Sequence, residues 1–182
     1  MRELSLHILD IVTNSIEAAA TRVIIWIEES VAKNLFSITI RDNGRGMSPE
    51  TVARVTDPFV TSRSTRSVGM GLPLLRQAAL ACNGELKIVS QPGAGTEVLV
   101  TFQHNSLNRA PLGDMAGTLV NLVIAAPEVH FLYGHRTDCR YFTFDSFWFY
   151  GRMAELDCSQ YALVEPAQAL IREKLQAVHS LG

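Results

Sequence analysis

Cysteine is scarce in this chain of 182 residues: the three present, Cys82, Cys139 and Cys158, stand far apart with no paired spacing. That pattern excludes a disulfide framework and a cysteine metal cluster, and reduced thiols fit a cytoplasmic protein. An excess of one charge is missing as well. Sixteen basic residues face eighteen acidic ones, for a formal net charge of −2. The total therefore offers no field that would draw nucleic acid or an acidic membrane. No apolar run approaches the roughly 18–20 residues of a membrane span, so no direct membrane insertion is expected. The amphipathic start, with Glu3, His7 and Asp10, is not a signal peptide. What the chain has in quantity is apolar: 47% of its residues are hydrophobic and 19% charged. Such a composition supports a full core, and the length suits one domain or one domain with a small appendage.

The first segment, residues 3–19, has helical periodicity. Leu4, Ile8, Ile11, Val12, Ile16 and Ala19 recur at the three-and-four spacing of one apolar face. Glu3, His7, Asp10, Asn14 and Glu17 follow the same spacing and form a polar stripe. A solvated helix face would explain the stripe. Two details point to chemistry instead: asparagine is a poor residue inside a helix, and a carboxylate and an amide four residues apart aim at a common target.

Residues 22–29 and 34–41 read as two strands joined by a short hairpin connection, the second alternating Phe36, Ile38 and Ile40 with polar residues. Asp42 then stands at a strand end before the turn Asn43-Gly44-Arg45-Gly46. A buried carboxylate there can accept an exocyclic amine such as that of adenine, whereas guanine would set acceptor against acceptor. A turn-forming aspartate is the plainer alternative. Ser48 caps a helix opened by Pro49. Residues 61–68 are rich in serine and threonine, carry Arg63 and Arg66, and lack an apolar period. A mobile loop is expected, able to clamp phosphates through its arginines or to be a plain solvent loop. Gly69-Met70-Gly71-Leu72 opens a helix ending at Asn83-Gly84, and glycines at a helix start let backbone amides approach phosphate oxygens. A polar loop rather than a strand precedes these glycines, so they are not a dinucleotide fingerprint. Residues 85–91 and 96–103 form a further hairpin around Gly93-Ala94-Gly95.

Asp10-Ile11-Val12-Thr13-Asn14, Asp42-Asn43-Gly44-Arg45-Gly46, Gly69-Met70-Gly71-Leu72 and Gly93-Ala94-Gly95-Thr96 are each weak signals, but their order is specific. Together they resemble the ATP-binding domain shared by sensor histidine kinases, gyrase, mismatch-repair ATPases and heat-shock chaperone ATPases, the GHKL or Bergerat fold, over roughly residues 1–104. The resemblance implies an α+β fold, a two-layer α/β sandwich whose mixed sheet carries helices on one face. Residues 105–182 would be a small C-terminal α/β extension. It also implies ATP and Mg2+ as ligands. Asn14 would give its amide oxygen to the metal, a hard donor of the kind magnesium prefers. Asp42, Gly44, Gly46, Met47 and a water-bridged Thr96 would receive adenine. Phe59, Arg63, Arg66, Gly69, Gly71 and Leu72 would frame the phosphates.

Residues 14–23 look closest to the mismatch-repair branch, with two departures. Asp10 stands where that branch has a glutamate that activates water, so slow hydrolysis is expected. Ala19 replaces a helix-ending glycine, where a left-handed alanine would be strained by roughly 1 kcal/mol. Residues 57–63 instead resemble the Phe-containing box of histidine kinases.

In the last third, residues 105–113 read as a linker, Asp114 as the cap of a helix to residue 125, residues 129–133 and 141–144 as strands, and residues 166–178 as a helix. His130 and His135 near Cys139 invite a metal reading, although strand histidines are more commonly packed or exposed. The aromatic run from Phe142 to Tyr150 reads as core or partner surface. Every residue from Val23 to Ile27 is apolar, so the second face of that strand, with Ile24 and Trp26, is expected to be covered by residues 110–182 or by a second copy in a homodimer. Three functions fit: a regulatory kinase acting on a partner protein, an ATP-hydrolysing conformational switch, and a non-catalytic ATP sensor. The thirteen residues before Asn14 hold no helical hairpin with a phospho-accepting histidine. Phosphoryl transfer, on that reading, would be in trans.

Overall fold

The computed structural model of the protein describes residues 3–55, 71–156 and 159–179. Its six strands are β1 (Arg22–Ser30), β2 (Leu35–Asp42), β3 (Leu86–Gln91), β4 (Gly95–Gln103), β5 (His130–Arg136) and β6 (Tyr141–Asp145). They form one sheet in the order β3-β4-β2-β1-β5-β6, antiparallel throughout except for the parallel pair β1–β5. The helices are α1 (Leu4–Glu17), α2 (Pro49–Val55), α3 (Gly71–Leu80), α4 (Met115–Ala125), α5 (Ser146–Leu156) and α6 (Val164–His179). This is an α+β fold with a mixed sheet.

Alternation along the strands separates the two faces. Val23, Ile25 and Ile27 of β1 align with Ile38 and Ile40 of β2, with Val98 and Val100 of β4, and with Phe131 and Tyr133 of β5. All of them are buried, against Leu4, Ile8, Ile11 and Val12 of α1, Leu75 and Ala79 of α3, and Leu119 and Val123 of α4. The apolar stripe read on α1 is thus the one that meets the sheet. Residues 110–112 are more than slack connection. The carbonyls of Pro111 and Leu112 accept from the amides of Leu4 and Ser5 at 3.0 and 2.8 Å, satisfying donors that a helix start leaves open.

The last third is not a simple layer over the outer face. It lengthens the sheet by β5 and β6 and sets α4 beside α1, with α6 packed on α4. The covering expected for Ile24 and Trp26 does come in part from residues 110–182: the Trp26 ring occupies the space above Gly134 of β5. At the β6 side these residues and Leu132 line a groove with Trp148 and Leu170. Helix α5 was not read from the sequence. Its aromatic run obscures the period, yet Phe149 is fully buried and the Tyr150 hydroxyl donates to the Val123 carbonyl at 2.6 Å.

Candidate nucleotide site

A pocket of about 330 Å³ opens between α1, the β2 end, α2, the start of α3 and β4. Asn14, Asp42, Gly46, Met47, Leu72 and Thr96 all line it, with Ile11, Ile40 and Val98 as an apolar floor. Six sequence-predicted residues, distant along the chain, therefore converge. Gly44 lies behind them and donates its amide to Asp42 Oδ1 at 2.8 Å. Gly46 takes a left-handed φ of 66°, and its missing side chain leaves room for the Gln91 carbonyl.

Asp42 is buried at the pocket wall and tightly held. Oδ1 accepts from the amides of Gly44 and Thr96, at 2.8 and 3.2 Å, and Oδ2 accepts from the Ser15 hydroxyl at 2.8 Å. A carboxylate offers about four acceptor positions, so one remains on Oδ2. Such a group, fixed by backbone donors and short of one partner, fits an amine-bearing base. A turn-forming role alone would not need Ser15. Thr96 is set by its own contact with Ser90, 2.8 Å between hydroxyls, and Ser90 also receives the Met47 amide at 2.8 Å. Ser15, Ser90 and Arg45, which also borders the pocket, were missed in the sequence. Ser15 is adjacent to Asn14 and off the polar stripe, so periodicity gave no signal.

Asp10 does not line the pocket. It sits one helical turn before Asn14 and against Gly71, where an added Cβ would lie 1.7 Å from Asp10 Oδ2. That buried oxygen, beside the first turn of α3, has no hydrogen-bond partner among the described residues. His7 is also buried and bonds to the Gly71 backbone, and burial holds its pKa below the usual imidazole range. The polar stripe of α1 is therefore only partly solvated: His7 and Asp10 meet α3 at Gly71, and Asn14 and the exposed Glu17 edge the pocket. Phe59, Arg63, Arg66 and Gly69 lie outside the described residues.

The exit of α1 keeps the left-handed turn. Ala19 has a φ of 59°, and the Ala20 amide reaches back to the Ser15 carbonyl at 3.1 Å. The alanine accepts strain that glycine would avoid. The residues read as a second metal set do not assemble: His130 and His135 point to opposite faces of β5, and His130 pairs with Asp145 at 2.9 Å.

A pocket edged by α1 and walled by a strand-end aspartate, on a mixed sheet, is the arrangement of a Bergerat-type ATP-binding domain. The chain belongs to the family of histidine kinase-, DNA gyrase B- and HSP90-like ATPases, whose sequence profile matches residues 2–106. Among curated proteins it is 38% identical over 80 residues to the CAI-1 autoinducer sensor kinase/phosphatase CqsS of Vibrio cholerae, covering 44% of this chain and 11% of that protein. It is 34% identical over 89 residues to the sensor protein kinase FleS of Pseudomonas aeruginosa, covering 49% and 22%. Sporulation kinase C of Bacillus subtilis is 30% identical over 88 residues, covering 48% and 20%. The matched stretch is thus about a fifth or less of these relatives. Among solved structures, the N-terminal domain of a DNA repair protein superposes with a TM-score of 0.56 at 17% identity, over 79% of this chain and 52% of that one. This likeness of fold extends past the stretch matched by the family profile. Within the described residues no helix is long and apolar enough to cross a membrane.

Proposed function

We propose that the chain binds Mg2+–ATP and serves as a regulatory phosphotransfer module acting on a partner protein. The observation that carries the reading is Asp42, buried, fixed by three donors and left with one acceptor position at the pocket wall. Adenine supplies an amine there and guanine a carbonyl, so the pocket favours ATP. Asn14, edging the same pocket one turn beyond Asp10, is the candidate magnesium ligand, with phosphate oxygens and waters completing the shell. The bound nucleotide supplies the transferable phosphoryl group. Asp10 is the candidate base, and the Gly71 helix start is the candidate phosphate cradle. Similarity to sensor kinases favours transfer to a protein over a hydrolytic switch.

Calorimetry with ATP and GTP, with and without Mg2+, tests the binding half. Asp42→Asn, which sets donor against donor, should abolish ATP recognition, and an unchanged isotherm would remove the assignment. Incubation with labelled ATP and neighbouring gene products tests the transfer half. Label on a second protein supports it, whereas phosphate release alone points to the switch.

A further inference from the structure

Three of the five histidines of the chain converge on one carboxylate. Glu29 stands near the end of β1, paired with Phe36, whereas the pocket end of β1 is Val23, paired with Asp42. Six residues of strand, about 20 Å, separate the two places. Around Glu29, His135 Nε2 lies 2.8 Å from Oε1, His179 Nε2 lies 3.7 Å from Oε1, and His104 Nε2 lies 3.2 Å from Oε2. The ligand atoms of Glu29, His135 and His179 are all within 4.8 Å of one another.

We propose that Glu29, His135 and His179 form a binding site for a divalent transition metal ion of the zinc class, with a fourth position open to solvent, while His104 steadies Glu29 through the other carboxylate oxygen. Zinc holds imidazole nitrogen and carboxylate oxygen at about 2.0–2.2 Å, so tetrahedral ligand atoms lie about 3.3 Å apart. Glu29 Oε1 lies 2.8 and 3.7 Å from the His135 and His179 nitrogens, on either side of that value. The donor set is nitrogen and oxygen without thiolate, which suits zinc and its neighbours and not calcium or magnesium.

The surroundings resemble a ligand shell more than a chance ion pair. All three imidazoles present Nε2. The Nδ1 of His135, on a fully buried ring, is 3.0 Å from the Tyr133 hydroxyl. Such a contact on the far nitrogen fixes ring orientation at metal sites. The His104 backbone is pinned as well: its amide donates to the Asn34 carbonyl at 3.1 Å, and its carbonyl accepts from Arg109 Nε at 3.1 Å. The ligands come from β1, β5 and the last turn of α6, so the sheet presets two of them and α6 closes the third side. His179, with its side chain 45% exposed, leaves an entry path. An ion here would tie the C-terminal end of α6 to the sheet.

The full chain, stripped with a chelator and dialysed, should take up one Zn2+ per molecule in competition with a chromogenic zinc chelator, and its melting temperature should rise. Co2+ should give the visible bands of a four-coordinate site. His179→Ala, at an exposed helix end where folding is not at stake, should weaken binding at least about tenfold and remove the melting shift; Tyr133→Phe should weaken it about tenfold with stoichiometry kept. His130→Ala, on the other face of β5, should change neither. The proposal is overturned if no saturable uptake occurs, or if His179→Ala and Glu29→Gln bind as the native chain does. ATP affinity, measured in parallel, is independent of this result and belongs to the distant pocket.

Discussion

The hydroxyl of Ser15 donates to Oδ2 of Asp42 at 2.8 Å, joining α1 to the end of β2 across the pocket wall. Removing it leaves the carboxylate held by backbone amides on one oxygen only. Ser15→Ala is expected to weaken ATP binding about tenfold or less, the scale of one net hydrogen bond, whereas Asp42→Asn should abolish it. Calorimetry that ranks the two variants in the opposite order would mean the base is read elsewhere.

Gly71 and Asp10 share one space. A Cβ at residue 71 would fall 1.7 Å from Asp10 Oδ2, closer than packing allows, so either α3 or the carboxylate must move. Gly71→Ala should lower ATP affinity at least about tenfold, because displaced backbone amides no longer converge on phosphate. The double variant Gly71→Ala with Asp10→Ala should recover part of that loss in the same titration. Equal binding by the single and double variants would show that the clash is relieved in another way.

Ala19→Gly should stabilise the protein. The left-handed φ of 59° at Ala19 costs an L-alanine roughly 1–2 kcal/mol, partly offset by the greater unfolded-state freedom of glycine. A net gain of about 1 kcal/mol is expected in urea unfolding, with an unchanged slope. A loss of stability would mean the turn tolerates alanine without strain.

His7 gives acid sensitivity. Burial, the largest influence, holds its folded pKa below the ordinary 6.5. Below that ordinary value the unfolded chain takes up a proton that the native ring resists, so stability is lost as pH falls from about 6.5 toward the folded pKa. Above it the effect vanishes. The drop in melting temperature between pH 7.5 and 5.5 should accordingly be smaller in His7→Gln than in the native chain. Parallel drops would assign the acid response to other groups.

A chain ending at Asn105 should aggregate and bind a hydrophobic dye. It would lose β5, leaving the apolar residues 23–27 of β1 as an open edge, and it would lose the carbonyls of Pro111 and Leu112 that satisfy the start of α1. We propose that the division between residues 1–104 and 105–182 marks a family boundary and not a folding boundary. A soluble monomer with native melting would show the opposite.

The elements of the candidate nucleotide pocket were legible because their signals are local. Asn14 on a helix, Asp42 before a glycine turn, and Gly71 at a helix start each follow from spacing within a few residues, and the pocket brings Asn14, Asp42, Met47, Leu72 and Thr96 together as read. Strand β2 follows from period-two alternation, and β1, β3 and β4 from apolar runs joined by hairpin connections. Ser15 gave no local signal, since a serine beside an apolar stripe is ordinary until Asp42 is placed opposite it.

The sequence by itself determined the helix stripe of α1, the two antiparallel hairpins and the order of the glycine-bearing motifs, all properties of residues close in the chain. Tertiary structure alone decided that β5 pairs in parallel with β1 more than a hundred residues away, so the last third extends the sheet as well as covering part of its outer face. It alone gathered Glu29, His104, His135 and His179 at one point. Parallel pairing and side-chain convergence depend on contacts between segments with no common period, closed only when the hydrophobic face of the whole sheet is buried. No window of sequence carries that information.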